Sequence, residues 1–573
     1  MSSKRFVRDE KQCIIYTDDT ICNSKRAVLH SDLFENMVEL FVRELSHRNP
    51  SLLSEIGLDL AAKSGIRQLL NILRALDEHS MEQLISILPA TDIFIEQVQR
   101  TALHEFVEQL YDYWRSRDRY MVFLAKPGPG NCRGQQPHRA FDDTLISLGH
   151  HIRSLYRNVC ENITGGHPRI YRHVGAGCNV GLIAVSCQFE LPPFYDTLLG
   201  EIPFVRQVWI TPPMILSSSA NACSGQFQRA DKNPLHGLVL QRGEWLCYPA
   251  QVGATVIFIY FHQQAIGLGS SLANLFELAS DTQITAGPDA VYLFGLPPQH
   301  MQQFGDSSAL FFDDLKNDLL VAAIPLEDRF DSFACLQKMA FALHNIIMIG
   351  RGHMPFQGSL VTTRCENEKN SQTVLLIGSR GRKILEAMRS HGFGRAVTKM
   401  NIISGDTGSL KIHDDGSVAG YGTAIGAFLP LDTLQGGGGD ALKQMDRAII
   451  MNLHTPNGQV LLPINTIEEV LKEHGIDLLL FVSEFEEGDA SHPPVETLND
   501  SGQALRVFSA VHTCFPAFAG MQQYERINEE LAGNIFQAAL LSGCKIVQLR
   551  TGMSILEDES LARAVIELIE SDT

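Results

Sequence analysis

The sequence predicts an α/β protein with an all-α N-terminal region, and three observations carry that expectation. Apolar residues recur at helical spacing from about Ser31 to Arg119, where glycine is nearly absent. From Ile170 to about Gly295 short apolar runs are broken by turn residues instead, the texture of strands. Beyond Asp328–Phe333, strand-like and helix-like segments alternate around glycine turns, as in nucleotide-type α/β domains.

In the N-terminal region (1–124) the helical pattern runs through Leu33, Met37, Leu40, Phe41 and Leu45, then Leu69–Leu70, Ile72–Leu73 and Leu76. It continues at Met81, Leu84 and Ile85, and at Phe106, Leu110 and Trp114. AKPGPGNCRGQ (Ala125–Gln135) has the composition of a linker. A strand-rich lobe follows over 125–330, with the runs VGLIAVSCQFELPP, VRQVWITPPMIL and ATVIFIYFHQQ. Between them SSSANACSGQF (Ser217–Phe227) reads as a tightly turned surface loop. The C-terminal lobe (331–573) opens with a helix over Phe333–Ile349, followed by the strand GSLVTTR. Strands at Val374–Ile377 and Asp477–Phe485 flank the glycine-rich Ala419–Asp440, and from about Glu525 the chain is helical.

At roughly 150 residues per domain, 573 residues make two to four domains. The composition, 45% hydrophobic and 20% charged, is that of a globular chain with a sizeable core. A formal charge of −18 disfavours nucleic acid and anionic membranes as partners. No apolar run reaches the ~18 residues of a membrane span, and MSSKRFVRDEKQ has no signal-peptide core. The twelve cysteines stand singly with no CxxC pair, which predicts reduced thiols in a cytoplasmic protein without a structural zinc site.

The chemistry-bearing candidate is VLLIGSRGRKILEAM (Val374–Met388), in the order strand, glycine turn, lysine, helix. A phosphate-binding loop has that order, but with four residues between its glycines and a Ser or Thr after the lysine. Here two residues separate Gly378 from Gly381, and Ile384 follows Lys383. Arg380, Arg382 and Lys383 put three cations at an expected helix start, suited to an anion. An ordinary strand–turn–helix with solvated basic residues accounts for the same pattern. In NIISGDTGSLKI (Asn401–Ile412), Asp406 is a candidate metal ligand at a strand tip, or a turn cap before Gly408. Asp414–Asp415 reads as a hairpin turn. His150–His151, His344, His353 and His413 show no ligand spacing, and there is neither a GxSxG nor an HExxH motif.

In order and spacing, GHMPFQGSLVTT, VLLIGSRGRKILEAM, NIISGDTGSLKI, VAGYGTAIGAFLPLDTLQ, MDRAIIMN and NGQVLLP resemble the catalytic domain of phosphoenolpyruvate carboxykinases. The likeness is greatest to a divergent bacterial branch described as carboxykinase-like ATP-binding proteins, and extends from about residue 100 to the end. It also takes in KNPLHGLVLQRGEWLCYPAQVGA, SLANLFELA and FQAALLSGCKIVQLRTGMSI. The resemblance implies a bilobal fold with a P-loop-type C-terminal lobe and a nucleotide in the cleft. Intact members transfer the γ-phosphoryl of ATP or GTP, using Mg²⁺ with the nucleotide and Mn²⁺ at the carboxylate substrate.

Four positions depart from that pattern. Ile384 stands where the family's loop has its hydroxyl, and Gly405 where its metal strand has the first of two aspartates. Gln357 stands where it has a metal-binding histidine, and Gln459 where it has a phosphate-binding arginine. The framework around them, including GYGTAIGAF, is kept. The expectation is therefore a pseudoenzyme that serves as a binding, regulatory or assembly subunit with a protein partner or a second copy. An active phosphotransferase with an altered phosphate loop is the alternative, and only in that case are ATP, Mg²⁺ and Mn²⁺ implied.

Overall fold

The computed structural model describes residues 5–8, 12–17, 21–87, 96–125, 138–167, 170, 180–211, 214–216, 223–305, 308–365, 371–378, 384, 397–431, 446–452, 458–484, 495–512, 514–515, 518–551 and 555–571. The chain divides into two compact units, one of Met1–Ser186 with Val205–Thr211, the other of Cys187–Phe204 with Pro212–Thr573. The boundaries expected at 124 and 330 thus each fall inside a unit.

The first unit has the expected helices, including Asp32–Arg48, Lys63–Ala75 and Gln97–Arg115. Local signals start them: Ser31 caps Asp32–Arg48 by accepting from the Phe34 N–H at 3.2 Å. The next helix begins with Asn49 as cap and Pro50 in its first turn. Phe41 is the hinge of the packing, its ring 5.1 Å from both Phe106 and Tyr113. The region is not all-α, however. Gln12–Thr17 pairs antiparallel with Arg5–Arg8 and parallel with Asp118–Ala125, which in turn pairs with Val180–Val185. These middle strands are almost wholly apolar and buried, so they lack the alternation that marks a half-exposed strand. The long helix His138–Thr164 lies on this sheet, and Phe141 fills the space that a Cβ at Gly181 would need.

Among its described residues the second unit contributes strands to three sheets. In the first, Trp245–Val252, Thr255–His262, Ala290–Leu296, Leu319–Pro325, Ser308–Asp314 and Gln226–Arg229 lie side by side in mixed directions. The second is built on Met354–Cys365, flanked by Gln372–Ile377 and by the chain from Val397 to Ile412. It extends through Leu478–Glu484 and Lys545–Thr551, both parallel to Gln372–Ile377. The third joins Gly426–Pro430, Gln459–Pro463, Ile449–Met451 and Met214–Leu216. Together these make a mixed α/β architecture.

Helix Phe333–Gly350 touches strands of both the first and second sheets. It is long and apolar enough to cross a membrane, yet 72% of it is buried in the protein, as befits a core helix. The expectation of unpaired thiols throughout is corrected at one point: Cys223 is disulfide-bonded to Cys335, 112 residues on. Gly225 lies so close to Phe330 that a Cβ would overlap the ring, which brings the Cys223 segment against the start of the helix. Among the described residues Cys160, Cys247, Cys514 and Cys544 are buried thiols outside that bond.

Candidate functional site

The expected site positions lie around the strand Met354–Cys365. On one side Gln372–Ile377 runs antiparallel to it and ends at Gly378, whose N–H donates to the Gln357 carbonyl at 3.2 Å. Gly378 has φ +126°, and a Cβ there would sit 2.5 Å from the Val482 carbonyl oxygen. Only glycine ends the strand in this way against Leu478–Glu484.

On the other side, Val397–Ser404 and Thr407–Ile412 both pair with Met354–Cys365, so the chain runs straight past Gly405 and Asp406. Asp406 is therefore not at a strand tip. It faces Gly358, whose N–H donates to the Asp406 carbonyl at 3.0 Å, while the Ser359 hydroxyl donates to the Gly405 carbonyl at 3.0 Å. The Thr407 hydroxyl donates to the Phe356 carbonyl at 2.9 Å, and the Ser404 hydroxyl to the Thr407 carbonyl. Gln357, Gly378, Gly405 and Asp406 thus share one hydrogen-bonded patch, with the Gln357 side chain exposed and Asp406 half-buried. Arg380, Gly381, Arg382 and Lys383 lie outside the described residues.

Two of the substituted positions are packed rather than open. Ile384 is fully buried in an apolar cluster with Val361, Val374, Leu376 and Leu480. At Gly405 a Cβ would come 3.2 Å from the Ala427 Cβ, closer than side chains ordinarily pack, so a second aspartate has little room. Gln459 is not part of the patch. It is paired with Pro430 at the end of Gly426–Pro430, three residues along from Ala427, or ~10 Å of strand.

His512 joins the patch without any local signal in the chain around it. Its Nε2 accepts the Gln357 N–H at 2.9 Å across 155 residues of chain, and its ring stacks on Phe508 with centroids 4.4 Å apart. Burial pushes its pKa down to about 3, so the ring is neutral. With Nε2 accepting, Nδ1 carries the proton, and that buried atom has no partner among the described residues. The separation along the chain left no local signal to read.

The other histidines behave differently from the expectation of complete dispersal. His353 and His413 both approach Tyr421, at 5.7 Å between rings and 3.5 Å from Nε2 to the hydroxyl. Burial lowers the His353 pKa to about 4, and the nearby Lys411 and Arg351 charges add to that. Asp414 and Asp415 lie in the hairpin between Thr407–Ile412 and Val418–Gly422, as their spacing predicts. The Asp415 carboxylate accepts from the Ser417 N–H at 2.9 Å and its hydroxyl at 2.6 Å, which makes it a turn residue. No family model matches the chain, and no curated protein is detectably similar to it.

Proposed function

We propose that this chain is a catalytically inactive protein of phosphoenolpyruvate carboxykinase type, acting as a binding, regulatory or assembly subunit. The observation that carries the reading is Ile384, buried in apolar core at the position where an active phosphate loop exposes the hydroxyl that holds Mg²⁺. The position has become part of the packing rather than merely losing an oxygen. Ala427 against Gly405 and the exposed Gln357 point the same way, since Asp406 is then the one carboxylate among the described residues of the patch. A single half-buried carboxylate is a weak site for a divalent cation.

The acidic charge of −18 favours a protein or small-molecule partner over nucleic acid or membrane. Retained phosphotransfer is the competing reading. It is favoured by the sequence itself, in which the basic Arg380, Arg382 and Lys383 follow directly on Gly378, whose N–H bonds the Gln357 carbonyl.

Calorimetric titration with ATP, GTP and ADP in Mg²⁺ and Mn²⁺ separates the two. The pseudoenzyme reading expects no turnover of ATP or oxaloacetate. Micromolar nucleotide binding that Lys383→Ala abolishes, together with turnover, would overturn it.

A further inference from the structure

We propose that the helical unit carries a transition-metal site of zinc class, formed by His104, Glu108 and Cys160, with its fourth corner open to a cleft. His104 and Glu108 stand four residues apart on Gln97–Arg115, so they share one face of that helix. Cys160 projects from the adjacent helix His138–Thr164. The Glu108 Oε1 lies 3.6 Å from the Cys160 Sγ and 3.6 Å from the His104 Nε2. All three ligand atoms lie within 4.8 Å of one another.

Those lengths can be compared with a tetrahedron. With Zn–S of about 2.3 Å and Zn–N or Zn–O of about 2.0–2.1 Å, the edges are about 3.6 Å for S–O and about 3.4 Å for N–O. Two of the three edges are therefore at ligating length before any ion enters. A thiolate, an imidazole and a carboxylate select zinc, cobalt or nickel over Mg²⁺ and Ca²⁺, which take oxygen donors. One thiolate and one carboxylate also balance a divalent charge.

An independent feature fixes the donor set. The Tyr156 hydroxyl donates to the Glu108 carboxylate at 2.8 Å, and the Tyr156 ring stacks on Tyr111 with centroids 4.1 Å apart. Metal sites hold their ligand carboxylates by such outer hydrogen bonds. The cluster opens into a cleft of about 530 Å³ lined also by Arg115, Arg153 and His167. That leaves room for water or a small ligand at the fourth corner, the arrangement of a reactive rather than a closed structural zinc. The site is separate from the Gln357–Asp406 patch and stands whatever the fate of the carboxykinase reading. No short motif marks it, because 52 residues separate Glu108 from Cys160.

The test is titration of the chelator-stripped, full-length protein with Co²⁺ and then Zn²⁺, followed by absorbance and by metal content per chain. The site expects about one Co²⁺ per chain in tetrahedral coordination, with a sulfur-to-cobalt charge-transfer band that Zn²⁺ removes. Cys160→Ser should lose that band. His104→Ala should weaken binding by more than about 100-fold, since even outer partners of a metal ligand contribute 10–100-fold. A wild-type protein without the band, or a band that survives in Cys160→Ser, overturns the proposal. His104 is partly exposed, so His104→Ala should fold even if the core cysteine variant does not, and unchanged cobalt affinity in it is equally decisive against the site.

Discussion

At the scale of single residues, Ile384 and His512 give the most direct tests. Ile384→Thr restores the hydroxyl of an active phosphate loop and removes one side-chain carbon. In this chain it would bury that hydroxyl in the apolar cluster of Val361, Val374 and Leu376. The expected result is a loss of about 2 kcal/mol in urea denaturation with no gain of Mg²⁺-dependent nucleotide binding. A gain of binding would show that the position still faces a ligand. His512 is held neutral by burial, with a folded pKa of about 3 against an unfolded value near 6.5. The unfolded chain therefore binds the proton first as pH falls, and stability is lost from about pH 6.5 downward. His344, fully buried and held at about 4, acts in the same direction. Between pH 7 and pH 5 each such histidine removes about 2 kcal/mol. His512→Gln should start less stable at pH 7, having lost a good acceptor for the Gln357 N–H, but should then fall by about 2 kcal/mol less than wild type. An equal fall in both proteins would mean that His512 titrates normally in the fold.

At the scale of elements, the close approach of Met354–Cys365 to Gln372–Ile377 is what places Gln357 beside Gly378. Gly358 permits it, because a Cβ there would lie 2.0 Å from the Leu376 carbonyl oxygen, an atom of the opposing backbone that cannot swing aside. Gly358→Ala should cost about 2–4 kcal/mol and reduce soluble yield, and a stability within about 0.5 kcal/mol of wild type would show that the ladder yields easily. The sequence disclosed the helices Asp32–Arg48 and Phe333–Gly350 well, because their apolar spacing, and for the first its serine cap, are local. It also disclosed Leu478–Glu484 and the turn at Asp414–Asp415. It hid Asp118–Ala125, because YMVFL buried on both faces has the apolar run of a core helix and no alternation. Lys545–Thr551 was hidden too, since it sits inside a region otherwise helical. The site was legible to the same degree. Gly378 and Asp406 are candidates from local motifs and Gln357 only through the family resemblance, while His512, Cys160 beside Glu108, and Cys223 with Cys335 are pairings made only by the fold.

At the scale of the whole molecule, each compact unit has a core of its own, so two cooperative thermal transitions are expected rather than one. The disulfide labels them, because Cys223 and Cys335 both belong to the second unit. A closed loop of that size restrains the unfolded chain by about 2–4 kcal/mol, and reduction should lower the second unit's midpoint by about 3–5 °C. The first unit has no such bond among its described residues and should not respond. The three tryptophans let the two be followed separately: Trp114 and Trp209 lie in the first unit, Trp245 in the second. In a Trp245→Phe protein, intrinsic fluorescence reports the helical unit alone. Its midpoint should then be the same with and without a phosphine reductant, while calorimetry of the same samples shows the other transition move. A single transition that shifts as a whole would mean that the two cores unfold together, and the units would then have to be treated as one thermodynamic body.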